Sequence, residues 1–223
     1  MYGYVEEGTR GALAAEEIAG GLFLHLTLPR SGLFCSCQRK RGWQQLYRAG
    51  VRCAVLPAAL KEEAARWGIN PVPVYPLRRE LLAAFLDRCG TTLQGVAVGL
   101  QAEYVSAEVV RAAELLAVRA RYLLLHTGAG SDELAAYLHR RFGLAVGGAA
   151  SAVLTVRFGC GAGQGRCLCL GEDCAAQQQV VYDTALLLPQ GERETDEQLL
   201  SALFALGAVK KEQIPIKRWT TNA

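Results

Sequence analysis

Residues 96–146, "VAVGLQAEYVSAEVVRAAELLAVRARYLLLHTGAGSDELAAYLHRRFGLAV", decide the fold. They open on a short apolar run, "VAVGL", pass through a helical pattern and return to a second apolar run, "YLLLH". A second helical pattern ends at Gly143, before "LAVGG". In the first helix Val109, Ala113 and Leu116 share a face, with Glu108, Arg111 and Glu114 away from it. In the second, Leu134, Leu138 and Phe142 step by four. Strands that are apolar throughout suit a sheet covered on both faces. Their alternation with helices of ten to fifteen residues predicts βαβ units on a parallel sheet.

The same rhythm extends upstream. "WQQLYRAG" leads to "VRCAVLP", "ALKEEAARWG" to "INPVPVYP", and "LRRELLAAFLDRCG" to "GVAVGL". Gly50, Gly68, Gly90 and Gly143 stand where helix ends favour a residue tolerant of positive φ. Near residue 150 the pattern changes. "SAVLTVRFG", "RCLCLG" and "QVVYDTALLLP" leave no room for helices and predict an antiparallel meander. "TDEQLLSALFALG" predicts a last helix, with Thr195 and Gln198 at capping-box spacing, and the basic tail after it is expected to be loosely held. At the N-terminus, "GALAAEEIAGG" reads as a short helix and "LFLHLTLP" as a strand. The expected architecture is α/β: a Rossmann-like, mostly parallel sheet with helices on both faces, then an antiparallel meander and a final helix. One domain over residues 1–223 is expected, with 1–50 an elaboration, 51–150 the βαβ core and 151–223 the meander, last helix and tail.

Composition narrows the function classes. Half the residues are hydrophobic, enough for a sizeable core, and 24 basic against 21 acidic residues leave a charge of only +3. That balance argues against nucleic acid as partner. The clusters "QRKRGW", "LRRE" and "HRR" read as solvated helix faces, although Trp43 and Trp219 beside basic runs could stack on bases. No apolar run approaches the roughly 20 residues that span a bilayer, and the N-terminal acids do not suit a secretory signal. A cytoplasmic protein, with no membrane, is the expectation, and its eight cysteines should be reduced thiols.

Ligands of open α/β sheets bind beyond the carboxyl ends of the strands. Here those ends are residues 101–106 and 126–131, so Gln101, Glu103, Tyr104, His126, Thr127, Gly128, Gly130 and Ser131 are the candidate ligand-binding residues. The turn Gly128–Ser131 would present backbone N–H groups at a helix start, an anion site in principle, with Ser131 as N-cap. "YLLLHTGAGSDELAAYLHRRFGLAV" resembles the first motif of Rossmann-like S-adenosylmethionine-dependent methyltransferases, in which a strand runs into a GxGxG loop. The resemblance covers about 25 residues, the scale of half a βαβ unit. It implies a nucleotide-like ligand held on that loop. Asp132 stands at the third glycine of that motif, Glu133 at the third glycine of the dinucleotide version, and "LAVGG" lacks the acid that would hold a ribose. His25 reads as a core histidine, His139 as solvated, and His126 as the one placed at a strand end.

The cysteines carry the remaining chemistry. "CGAGQGRCLCLGEDC" places Cys160, Cys167, Cys169 and Cys174 within fifteen residues, a possible zinc or iron–sulfur set. The spacing has no CxxC. Alternation gives the other reading: in a strand, Cys167 and Cys169 share one face and Leu168 and Leu170 the other, as in a hairpin strand buried on both sides. The hairpin is the preferred reading. Function is then expected to be non-catalytic binding or regulation, with a protein partner or small ligand and no cofactor. The alternatives are a nucleotide- or S-adenosylmethionine-type site on loops 101–106 and 126–131, and a cysteine-ligated metal.

Overall fold

In a computed structural model, the alternation read over residues 96–146 takes shape as strand, helix, strand, helix and short strand. The structure describes residues 1–32, 34–89, 93, 96–147, 151–159, 165–171, 178–184, 187–188 and 193–221. Among them the elements run in chain order as β1 (Tyr2–Gly8), β2 (Ala12–Ile18), β3 (Gly21–Pro29), α1 (Cys35–Arg48), β4 (Cys53–Val55), α2 (Lys61–Ala65), β5 (Asn70–Pro71), α3 (Tyr75–Glu80) and α4 (Leu82–Asp87). They continue as β6 (Ala97–Tyr104), α5 (Ala107–Arg119), β7 (Tyr122–Ala129), α6 (Ser131–Phe142), β8 (Ala145–Val146), β9 (Leu154–Arg157), β10 (Arg166–Cys169), β11 (Gln178–Tyr182), α7 (Asp196–Ala205) and β12 (Ile216–Thr221). The class is α/β, as expected. The chain groups into two compact units, Met1–Leu77 with Tyr182–Pro215, and Arg78–Val181 with Ile216–Ala223. The expected boundaries at 50 and 150 do not coincide with them. Cys53 pairs with Tyr2 and Asn70 with Cys53, so β4 and β5 belong to the N-terminal sheet and the 51–150 core is divided between two sheets.

In the first unit the strand order is β2-β3-β1-β4-β5, with β1 parallel to both neighbours and β2 antiparallel at the edge. Residues 12–18, expected to be helical, form that edge strand. Ala19 (φ 49°) and Gly20 (φ 81°) make a two-residue turn with positive φ at both positions, which fixes a tight hairpin and its register, Ile18 against Gly21. Pairing with β3 overrides the helix propensity of "ALAAEEI". Helix α1 buries Trp43 and Leu46 in a core with Val5, Leu26, Leu28 and Leu56. Each leucine so buried contributes roughly 1.5–3 kcal/mol. Above this core Arg39 joins three segments. Its guanidinium donates to Glu7 Oε1 (2.8 Å), to the Pro29 carbonyl (3.1 Å) and to Glu63 of α2. Helix α7 is the expected final helix, but Thr195 makes no side-chain cap. Gln198 grips the end of β4 instead: the Leu56 N–H donates to its Oε1 (3.1 Å) and its Nε2 donates to the Leu56 carbonyl (3.0 Å).

The second unit carries a parallel sheet of order β10-β9-β6-β7-β8. From β6 the chain steps through α5 to β7 and through α6 to β8, then returns to place β9 on the opposite side of β6 and β10 beyond it. The order therefore reverses between β6 and β9. Val98, Leu100, Leu123, Val156 and Leu168 are buried in the sheet, and α5 and α6 bury Val109, Leu116, Leu134 and Leu138, on the faces read from the sequence. The helix expected over 77–90 is broken at Leu81 (φ −90°, ψ 7°) into α3 and α4.

The hairpin expected over Cys160–Cys174 is not formed in that sense. Strands β9 and β10 are parallel, with Arg166 opposite Leu154 and Cys169 opposite Arg157. Gly165 (φ 69°) precedes β10, and the following N–H of Arg166 donates to the Val153 carbonyl (3.1 Å). A strand apolar on both faces satisfies a buried parallel sheet as well as a hairpin, so alternation alone did not distinguish them. The antiparallel part of the expectation is the two-stranded β11–β12 sheet, where the Asp183 N–H just after β11 donates to the Pro215 carbonyl just before β12 (2.8 Å). The tail is thus a strand. Trp219 on it is buried, donates its indole N–H to the Phe85 carbonyl (3.1 Å) and lies under the Arg166 guanidinium at 4.3 Å. Trp43 is fully buried too, so neither tryptophan is placed to stack on bases. Gly50, Gly68 and Gly143 have the positive φ expected of them, and Gly90 lies outside the described residues. Among the described residues no helix is long and apolar enough to cross a membrane.

Candidate ligand sites

The carboxyl edge of the parallel sheet brings together most of the residues picked from the sequence. Gln101 pairs with His126, Ala102 with Thr127 and Tyr104 with Ala129, so the ends of β6 and β7 are adjacent. Glu103, Tyr104, His126 and Gly128 are exposed, Tyr104 to 64%, while Gln101 and Thr127 are half-buried. The glycine loop itself is shorter than read. Strand β7 continues through His126, Thr127 and Gly128 to Ala129, and only Gly130 (φ 88°) forms the turn. Gly130, not Ser131, is the N-cap, and Ser131 is the first helical residue. Both glycines have a packing role. A methyl group on Gly128 would overlap the Glu103 carbonyl oxygen, and one on Gly130 would lie 3.1 Å from the Val105 Cβ. The loop also follows β7, one strand away from the reversal between β6 and β9. Glu103 and Gly159 lie at that reversal: a Cβ on Gly159 would stand 3.4 Å from the Glu103 Cγ. A cavity of about 390 Å³ beside α5 and α6 is lined by Val105, Val110, Gly130, Glu133, Leu134 and Tyr137, so of the picked residues it includes Gly130 alone.

The first unit holds a second cavity of about 390 Å³, over the face of β2, β3 and β1 and the start of α7. Alternate residues of a strand share a face. Tyr4 and Glu6 on β1 therefore stand on one side, and Tyr4 pairs directly with His25 of β3. Ala14 of β2 is the other partner of His25, which puts Glu16 diagonally beside the imidazole. His25 Nδ1 hydrogen-bonds the Glu16 carboxylate, and its Nε2 faces Glu6 Oε1 at 3.3 Å. The Tyr4 ring meets the imidazole edge-on at 5.1 Å, and Arg193 donates from Nη1 to the Tyr4 hydroxyl oxygen (3.0 Å). Asp196 Oδ2 accepts from the Arg193 backbone N–H (2.9 Å) and so ties the start of α7 to the segment before it. Ile18, Leu187, Leu188 and Leu199 form the apolar part of the wall.

None of these residues was picked from the sequence as a ligand site, and His25 was read as core. The available signal was the turn at Ala19–Gly20: once residues 12–18 are paired with β3 across it, Glu16 falls beside His25. Arg193, far along the chain from Tyr4, carries no such signal.

Of the cysteines, Cys167 and Cys169 are buried in β10, as the alternation predicted, with Leu168 and Leu170 buried beside them. The Cys169 N–H donates to Gln178 Oε1 (2.9 Å). Cys160 and Cys174 lie outside the described residues. Among the described residues no group of three or more His, Cys, Asp or Glu is placed to hold a metal ion.

No protein-family model matches this chain, nor does any curated protein or solved structure.

Proposed function

We propose that the protein is a non-catalytic, cytoplasmic small-molecule-binding protein whose ligand occupies the cavity of the first unit. The observation that carries this reading is the cavity's wall: fixed polar groups on one side, leucine and isoleucine on the other, around about 390 Å³. Ligand pockets combine a mostly apolar lining with a few placed polar groups in this way, and this volume is near the small end of their range. Two side chains of the wall are fixed within it: His25 Nδ1 hydrogen-bonds the Glu16 carboxylate, and the Tyr4 hydroxyl accepts from Arg193.

A fragment screen by thermal shift and ligand-observed NMR tests the reading, with Leu187→Trp as the blocking variant. Hits should lose binding to the variant, which should keep the wild-type circular dichroism. Hits that bind the variant equally well would place the ligand elsewhere.

A second reading puts a nucleotide- or S-adenosylmethionine-type ligand at the carboxyl edge of the second unit. It is supported by the reversal of strand order beside Glu103 and Tyr104, where doubly wound sheets bind such ligands. Adding ATP, NAD and S-adenosylmethionine to the same screen separates the two. In this reading Tyr104→Ala weakens binding and Leu187→Trp does not.

A further inference from the structure

Resting on the reading that the first unit's cavity is a ligand site, we infer that its ligand is a small organic cation, an alkylammonium with a short apolar chain. Among the described residues three acids on the cavity face, Glu6, Glu16 and Asp196, stand against the Arg193 guanidinium and the His25 imidazole; Glu17 borders the cavity too, but alternation along β2 turns its side chain to the other face of the sheet. The wall is net negative whichever form the imidazole takes. Both side chains are also engaged by the wall itself: Arg193 donates to the Tyr4 hydroxyl, and His25 Nδ1 bonds Glu16. An anion entering the cavity meets unbalanced like charge. A neutral ligand gains only the contacts with Ile18, Leu188 and Leu199. An ammonium group gains those contacts through its chain and offers hydrogen-bond donors to carboxylates that accept only. In a concave wall whose net charge is negative, with low-dielectric material behind it, the field at the opening favours that ion over its isosteres. Glu6 and Glu16 are about half exposed, at 47% and 49%, so solvent screens part of the attraction.

The experiment uses three probes of equal size on the full chain: n-butylammonium, 1-butanol and butanoate, titrated at low salt by NMR or calorimetry. The ammonium is expected to bind at least tenfold more tightly than the alcohol, with butanoate weakest, and the gap should shrink in high salt. Glu6→Gln, which leaves the hydrogen bond between Glu16 and His25 in place, should weaken the ammonium severalfold and leave the alcohol unchanged. Glu16→Gln gives an independent second carboxylate to remove. Butanoate binding as well as or better than the ammonium would overturn the cation assignment. So would failure of all three probes where other fragments still bind in a manner that Leu187→Trp abolishes; the cavity reading then survives. If no fragment responds to Leu187→Trp, the cavity reading falls and the cation assignment falls with it.

Discussion

Arg39 shows how much one side chain can carry in the first unit. It sits on α1 and is held by Glu7 from β1, Glu63 from α2 and the carbonyl that ends β3. The Arg39 guanidinium holds the Glu63 carboxyl below the ordinary glutamate range, against the upward push of burial. A carboxyl lowered in the folded state stabilises it fully above the unfolded value, roughly 4.3 for glutamate, and loses that contribution as pH falls through the folded value. Arg39→Met should therefore cost about 2 kcal/mol at pH 7, the scale of charge-assisted hydrogen bonds partly shielded from water. In urea titrations the gap between wild type and variant should narrow as pH drops below 4. A gap that stays constant down to pH 2.5 would mean that the bond to the Pro29 carbonyl, which does not titrate, and not the pairing with the carboxylates, is what matters. Nothing in the sequence announces this pairing, because Glu7, Arg39 and Glu63 lie on three separate elements. Ala19 is legible only in retrospect. Position 19 has positive φ, which Asn or Gly would have advertised as a hairpin turn; alanine hid it, and the helix-forming run before it was read as a helix.

At the scale of elements, the glycines after β7 illustrate what local pattern can and cannot say. Strand, glycines and helix were read correctly in order, and α5 and α6 bury the faces that periodicity assigned them. The use of the glycines was not legible, since it depends on β6 lying alongside β7. Gly128 has no side chain because the Glu103 carbonyl occupies that space. Gly128→Ala should force β6 and β7 apart and cost at least about 2 kcal/mol in chemical denaturation, as overpacking at a backbone contact does. A neutral effect would show that the strands separate freely there and would restore the glycines as candidates for a ligand loop. The parallel pairing of β9 and β10 was hidden for a related reason. "RCLCLG" has the same two apolar faces in a hairpin or in a parallel layer, and only its pairing with β9 decides between them.

At the scale of the whole molecule, composition and alternation were enough for the α/β class and for covered parallel strands, whereas the grouping into two units follows from pairings between distant segments. Residue 77 leaves the first unit, residue 182 re-enters it, and residue 216 returns to the second. Each unit is completed by a piece of the last fifth of the chain: α7 with Leu199, Leu200 and Leu203 buried in the first, β12 with Trp219 in the second. Deleting residues 182–223 should thus abolish slow hydrogen exchange in β1 and β3 and also in β6 and β7. Protection retained in β6 and β7 would show that the parallel sheet stands without β12. On the ribosome the same threading delays both halves. β1 to β5 emerge early with one helix of their unit missing, and β6 to β10 follow with one strand missing. At about 5–20 residues per second, the 124 residues between the end of β5 and the start of α7 (72–195) take roughly 6 to 25 s to make. Through that interval the apolar surfaces later covered by α7 and β12 are open, so this chain, for its size, should depend on chaperones during synthesis more than one whose units follow each other end to end.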